Sequence, residues 1–143
     1  MTRRLQIMEA TLVLSLFGGA AGAQEATGSW VTEGGKSVVR ISPCGGALCG
    51  KIVSLKEPNG EDGAPKRDAK NQDKGLRGRP LVGLSILSGM NKDKDDRWTG
   101  NIYNPEDGKT YKAYMTLTTP QQLLVEGCVM GGLICKKQRW SKN

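Results

Sequence analysis

From residue 29 onward the chain never sustains a helical period. Its apolar residues come in short runs that alternate or are β-branched, and each run stops at Gly, Pro, Asn or Asp. The segment 109–118, K-T-Y-K-A-Y-M-T-L-T, alternates most cleanly, with Tyr111, Ala113, Met115 and Leu117 on one face. Pro105-Glu106-Asp107-Gly108 before it and Thr119-Pro120-Gln121 after it are turn sequences. Similar runs occupy 29–33, 37–42, 50–56, 80–89, 97–104, 122–128 and 134–142, with a polar loop over 91–96. That predicts about eight strands joined mostly by hairpins. An antiparallel meander leaves unpaired edges unless it closes. The expected fold is therefore all-β, a single antiparallel up-and-down barrel. A barrel of this size has room for packed side chains or one small ligand.

The N-terminus reads as a targeting segment. Arg3 and Arg4 precede an apolar run over 10–17, and Ala21-Gly22-Ala23 offers an A-x-A cleavage site before Gln24. The apolar run is far short of the roughly 20 residues that span a bilayer. The reading is a signal peptide over 1–23 and one domain over 24–143. The protein is then periplasmic or secreted, with no transmembrane segment after cleavage.

An exported chain changes how its four cysteines are read. Cys44 and Cys49 flank a Gly-Gly turn, and Cys128 and Cys135 flank Val-Met-Gly-Gly-Leu-Ile. Disulfides are the expectation. Pairing within each hairpin is geometrically simple, while a crossed pairing such as Cys44 with Cys128 stays open. Neither spacing matches the Cys-x-x-Cys of a zinc knuckle or a redox motif. The chain has no histidine, so histidine-based nucleophilic catalysis has no base. No metal or cofactor is expected. Asn91, Asp93, Asp95 and Asp96 resemble a calcium loop in outline, but Lys92 and Lys94 interleave and no closing Glu follows. They read as a solvated turn.

Lysine and arginine number 21 against 14 acids, a net charge of +7. Anionic neighbours fit this balance. Nucleic acid is not expected, because few aromatics follow residue 23 and none form a stacking run. The long irregular segment 57–79 mixes Lys66, Arg67, Lys70, Lys74, Arg77 and Arg79 with five acids. Loops of that length are functional or mobile. Arg77 and Arg79, beside the apolar run at 80–89, are the candidates there for anion recognition.

Several motifs occur together in order: G-S-W at 28–30, C-G-G-A-L-C-G at 44–50, L-R-G-R-P-L-V-G at 76–83, I-Y-N-P-E-D-G-K-T-Y at 102–111, and C-K-K-Q-R-W at 135–140. As an ordered set they resemble the bacterial secreted family catalogued as domain of unknown function 2147. The family's Asn-Pro-Asp before the Leu-Arg run is here Asn71-Gln72-Asp73. The resemblance implies a lipocalin-like, calycin-type barrel and no particular activity. It also implies structural roles for Trp30, plugging one barrel end, and for Arg139, packed over it from the last strand.

The functional expectation is an exported, non-enzymatic protein of the cell envelope that holds a small, partly apolar ligand. Leu81, Leu84, Ile86, Tyr111, Met115 and Leu123 would line the site, with Arg77 or Arg79 near its mouth. The alternative is a basic interaction module that binds an envelope protein or an anionic polymer through its surface and the 57–79 loop. A third reading, a carboxylate-based hydrolase, requires acids such as Glu106 and Asp107, or Asp95 and Asp96, to gather around one pocket.

Overall fold

The computed structural model describes residues 26–143, and the signal segment read at 1–23 lies outside them. Eight strands form one closed barrel in chain order: β1 (Gly28–Val31), β2 (Ser37–Cys44), β3 (Ala47–Leu55), β4 (Ser85–Lys94), β5 (Arg97–Asn104), β6 (Lys109–Thr119), β7 (Gln122–Val129) and β8 (Ile134–Lys142). Every neighbouring pair is antiparallel, as the meander predicts. The closing seam is short, with Trp30 opposite Lys142 and Val31 opposite Ser141. Beyond it the Glu33 side chain accepts the Arg139 backbone N–H at 3.3 Å, which satisfies β8 where β1 has ended.

Closure explains one departure from the sequence reading. Polar residues at 91–94 belong to β4 rather than to a loop, because β5 supplies their ladder, Lys92 facing Trp98 and Lys94 facing Arg97. The other departure is at 80–84, read as strand. Gly83 there has φ 93°, and β4 starts only at Ser85. A bent backbone is admitted by glycine where other residues would be strained.

Up-and-down topology sorts the connections into two groups. The β2–β3, β4–β5 and β6–β7 turns share one end with both chain ends of the barrel. Trp30, Trp98 and Trp140 fill this tryptophan end, all fully buried. Val39, Ile41, Leu87, Met90, Met115 and Leu123 continue the packed interior. Glycines mark where it is tightest. A Cβ on Gly50 would lie 2.9 Å from Leu87, and one on Gly100 would lie 2.6 Å from the Gly89 carbonyl. The lumen at this end is therefore a core, as expected of small barrels.

The disulfides join Cys44 to Cys49 and Cys128 to Cys135, each within its hairpin, and no crossed pair occurs. The first clasps the tryptophan end and the second the opposite end.

The cation above Trp30 is Lys142, not Arg139. Lys142 Nζ lies 4.6 Å from the ring centroid and donates to the Thr27 carbonyl at 2.6 Å. Trp30 Nε1 in turn donates to the Ala26 carbonyl at 2.9 Å. Arg139 sits opposite Leu124 and is exposed. Register decides this, since Lys142 is the residue facing Trp30 across the seam. Gly28 has its own reason to be glycine. A Cβ there would come within 2.8 Å of the Lys142 ammonium, and its φ is 121°.

Candidate functional site

The other end carries the β1–β2, β3–β4, β5–β6 and β7–β8 connections. The longest, 56–84, joins β3 to β4 and runs across this end as a strap. It has little regular structure, yet backbone hydrogen bonds hold it at many points. Leu81 N–H donates to the Lys66 carbonyl at 3.0 Å and Asp68 N–H to that of Arg79 at 2.9 Å, so its two limbs pair with each other. Asp73 caps a short 3₁₀ turn over Lys74–Leu76 by accepting from Gly75 N–H.

One buried carboxylate fixes the strap to the barrel. Asp68 is 0% exposed. Its Oδ2 accepts from Arg79 Nε at 2.9 Å and from Asn71 Nδ2 at 2.8 Å. Its Oδ1 accepts from the Tyr103 hydroxyl on β5 at 2.6 Å. Burial alone would raise the Asp68 carboxyl's pKa. The bonds from Tyr103, Asn71 and Arg79, with the Arg79 charge, outweigh burial and bring it below the usual carboxylate value. Burial and the same bond push the Tyr103 hydroxyl up. Gly108 in the β5–β6 turn is a second point of close approach. At φ 72° it lies so close to the strap that a Cβ would fall 1.9 Å from the Lys70 carbonyl oxygen.

Beside this anchor the strap leaves a cleft of about 540 Å³, open to solvent. Ile52, Leu55 and Leu81 give it an apolar lining. Lys36, Lys56, Glu57, Lys66 and Glu106 give it charge, and Gly34, Ser37 and Pro105 complete it. Lys36 and Glu106 meet at 3.9 Å, and Lys66 and Glu57 at 3.8 Å. Both pairs join exposed or half-exposed groups, so they break at little cost. A smaller hollow of about 320 Å³ lies at the tryptophan end against Asp96, Leu117 and Pro120.

Of the residues expected to line a ligand site, Leu81 is the one in the cleft. Met115 and Leu123 belong to the packed interior, and Leu84 and Ile86 to the same buried cluster. Tyr111 turns its hydroxyl onto the Asp107 carboxylate in the β5–β6 turn. Arg77 and Arg79 do reach the strap end, but their Nε atoms are engaged within the strap, Arg77 with the Asn71 carbonyl at 2.7 Å and Arg79 with Asp68. They hold the strap's shape. The sequence reading missed Asp68, which looks like one acid among five in a mixed loop. It also missed Lys36, Ile52 and Leu55, which only the fold brings together, and it named Glu106 only as an acid of the hydrolase reading.

Of the acids, Glu57 and Glu106 border the cleft, each paired with a lysine. Glu106 pairs with Lys36, Asp107 takes the Tyr111 hydroxyl, and Asp93 takes Thr99 Oγ1 at 2.7 Å. Among the described residues no group of three or more His, Cys, Asp or Glu side chains is placed to hold a metal ion.

A closed eight-stranded antiparallel barrel with a tryptophan-plugged end and a strapped opposite end is a lipocalin-like barrel. A solved structure described as "Protein HP1028 from the human pathogen Helicobacter pylori belongs to the lipocalin family" shares this fold, with a TM-score of 0.72 and 23% sequence identity over 82% of each chain. The chain belongs to the family described as "Uncharacterized protein conserved in bacteria (DUF2147)", whose model matches residues 28–142. No curated protein matches it. Among the described residues no helix is long and apolar enough to cross a membrane.

Proposed function

We propose that the protein is an exported, non-enzymatic binder of a small, partly apolar ligand, and that the ligand occupies the cleft beneath the strap. The carrying observation is the cleft itself. Its volume lies within the range of roughly 300–1,000 Å³ usual for small-molecule sites. Its apolar floor and charged rim suit a molecule with a short hydrocarbon body and a polar, preferentially anionic head, because Lys36, Lys56 and Lys66 face Glu57 and Glu106. We put the site at the strap end rather than on the barrel axis, where the sequence points, because the interior is filled by side chains. The lipocalin-like fold supports small-ligand binding as a class. Two hairpin disulfides are consistent with an oxidising compartment.

Native mass spectrometry of the protein taken from its own cell envelope tests this. A retained small mass that is lost in Leu81→Glu supports the reading. A bare chain, or a retained mass indifferent to Leu81→Glu, sinks it.

Docking on an envelope protein or anionic polymer is the second reading. The ordered strap favours it by presenting Lys70, Lys74 and Arg77 to solvent. It predicts a salt-sensitive partner whose capture is lost when those three side chains are neutralised.

A further inference from the structure

The β7–β8 hairpin is the strap-end connection that takes no part in the cleft. Its tip reads Val129-Met130-Gly131-Gly132-Leu133-Ile134. The four large side chains stand in solvent: Val129 is 41% exposed, Met130 69%, Leu133 83% and Ile134 57%. None of them belongs to the buried core, so the barrel does not require them to be apolar. Met130 also holds φ 54°, a left-handed conformation that glycine or asparagine adopts at less cost. The Cys128–Cys135 disulfide closes the base of this hairpin, and Leu133 N–H bonds to the Met130 carbonyl at 3.4 Å. A tip held in this way loses little conformational freedom when it binds something.

Lysines surround it. Lys136 and Lys137 follow Cys135 on β8, Lys112 on β6 faces Cys128, and Lys109 begins β6. All four are exposed. The acids nearby are Glu126, 3.7 Å from Lys137, and Asp107. Burial would raise the Asp107 carboxyl, but the Tyr111 hydroxyl and the Lys109 backbone N–H hold it below its usual value, with the Lys109 and Lys136 charges adding to them. The balance beside the tip is positive.

We propose that this hairpin docks the protein on an anionic phospholipid surface, with Val129, Met130, Leu133 and Ile134 entering the interfacial layer and the lysines facing the headgroups. The chemistry favours a bilayer over a protein partner. The tip exposes only aliphatic and thioether side chains, whereas protein hot spots are rich in Trp, Tyr and Arg seated in pockets. Apolar insertion combined with headgroup attraction is the usual form of interfacial membrane binding. The cleft opens at the same end of the barrel, but docking stands whether or not the cleft holds a ligand.

Co-flotation of the purified protein with vesicles of mixed phosphatidylglycerol and phosphatidylcholine tests the proposal, with pure phosphatidylcholine as the control. Flotation with the anionic vesicles is expected, weakening as salt rises. Leu133→Asp should lower the partition by about tenfold or more with the thermal midpoint unchanged, because that side chain is already in water. Leu133→Trp, the second variant, should shift its fluorescence to the blue on anionic vesicles. Absence of flotation by the wild-type chain, or flotation indifferent to Leu133→Asp, overturns the proposal. So does a dimer seen by sedimentation without vesicle binding and abolished by Leu133→Asp, which would make the tip a self-association face.

Discussion

Tyr103 on β5 donates its hydroxyl proton at 2.6 Å to Asp68, a carboxylate in the strap that is itself fully buried. This bond ties the irregular strap to the barrel. Asp68 could not be buried without it and its two companions, since a desolvated carboxylate needs its lone pairs filled. Asn71 and Arg79 fill them on Oδ2, and Tyr103 does so on Oδ1.

Tyr103→Phe removes that donor and leaves Asp68 Oδ1 unpaired. The expected loss is about 1–3 kcal/mol of unfolding free energy by urea titration. Hydrogen exchange should quicken at the Asp68 and Leu81 amides, whose bonds join the limbs of the strap. An exchange pattern like the wild type's would show that the strap is anchored elsewhere.

The same carboxylate sets an acid limit. Its folded pKa is lowered, so the unfolded chain binds the extra proton as pH falls. The stabilisation is complete above the ordinary carboxylate value of about 4 and is lost as pH drops through the folded value. Stability should fall below about pH 4. Asp68→Asn should be less stable than wild type at neutral pH and show a shallower acid limb. A parallel pH dependence in the two proteins would locate the titrating group elsewhere.

Gly108→Ala should displace the strap. Its Cβ would meet the Lys70 carbonyl, a backbone atom that cannot rotate away, and φ is 72°. A cost of about 2 kcal/mol or more is expected. Gly63→Ala is the matched control. Its φ is 76° but nothing lies within 4 Å, so only the backbone strain of about 1–2 kcal/mol remains. Comparable melting temperatures for the two variants would contradict the close approach at Gly108.

At the tryptophan end, Lys142→Met gives up both the cation over Trp30 and the bond to the Thr27 carbonyl. The expected loss is about 1 kcal/mol. Arg139→Ala should change stability by no more than about 0.5 kcal/mol. The reverse ranking by thermal denaturation would restore Arg139 to the position over Trp30.

Strand number and barrel closure were legible in the sequence, and so were the disulfides as such, whereas the structure decided between hairpin and crossed pairing. The period-two alternation at 109–118, the turns at Pro105 and Pro120, and the close cysteine spacings act over a few residues. Local sterics and chain length decide them wherever the segment lies. The limits of β4 were misread, because at 91–94 a neighbouring strand and not side-chain hydropathy makes the backbone extended.

The candidate site was legible in one residue, Leu81. Asp68 and Tyr103, Gly108 and Lys70, and Lys36 and Glu106 are pairs far apart in the chain, and no spacing signals any of them. The strap has no period, so its path follows from which backbone and side-chain groups the barrel rim leaves to be satisfied. The cation over Trp30 followed register: Lys142 and Arg139 lie three positions apart on β8, and only Lys142 faces Trp30. Alternation along a strand is a property of the chain. Which residue faces which across a seam, and what a loop covers, are properties of the closed barrel.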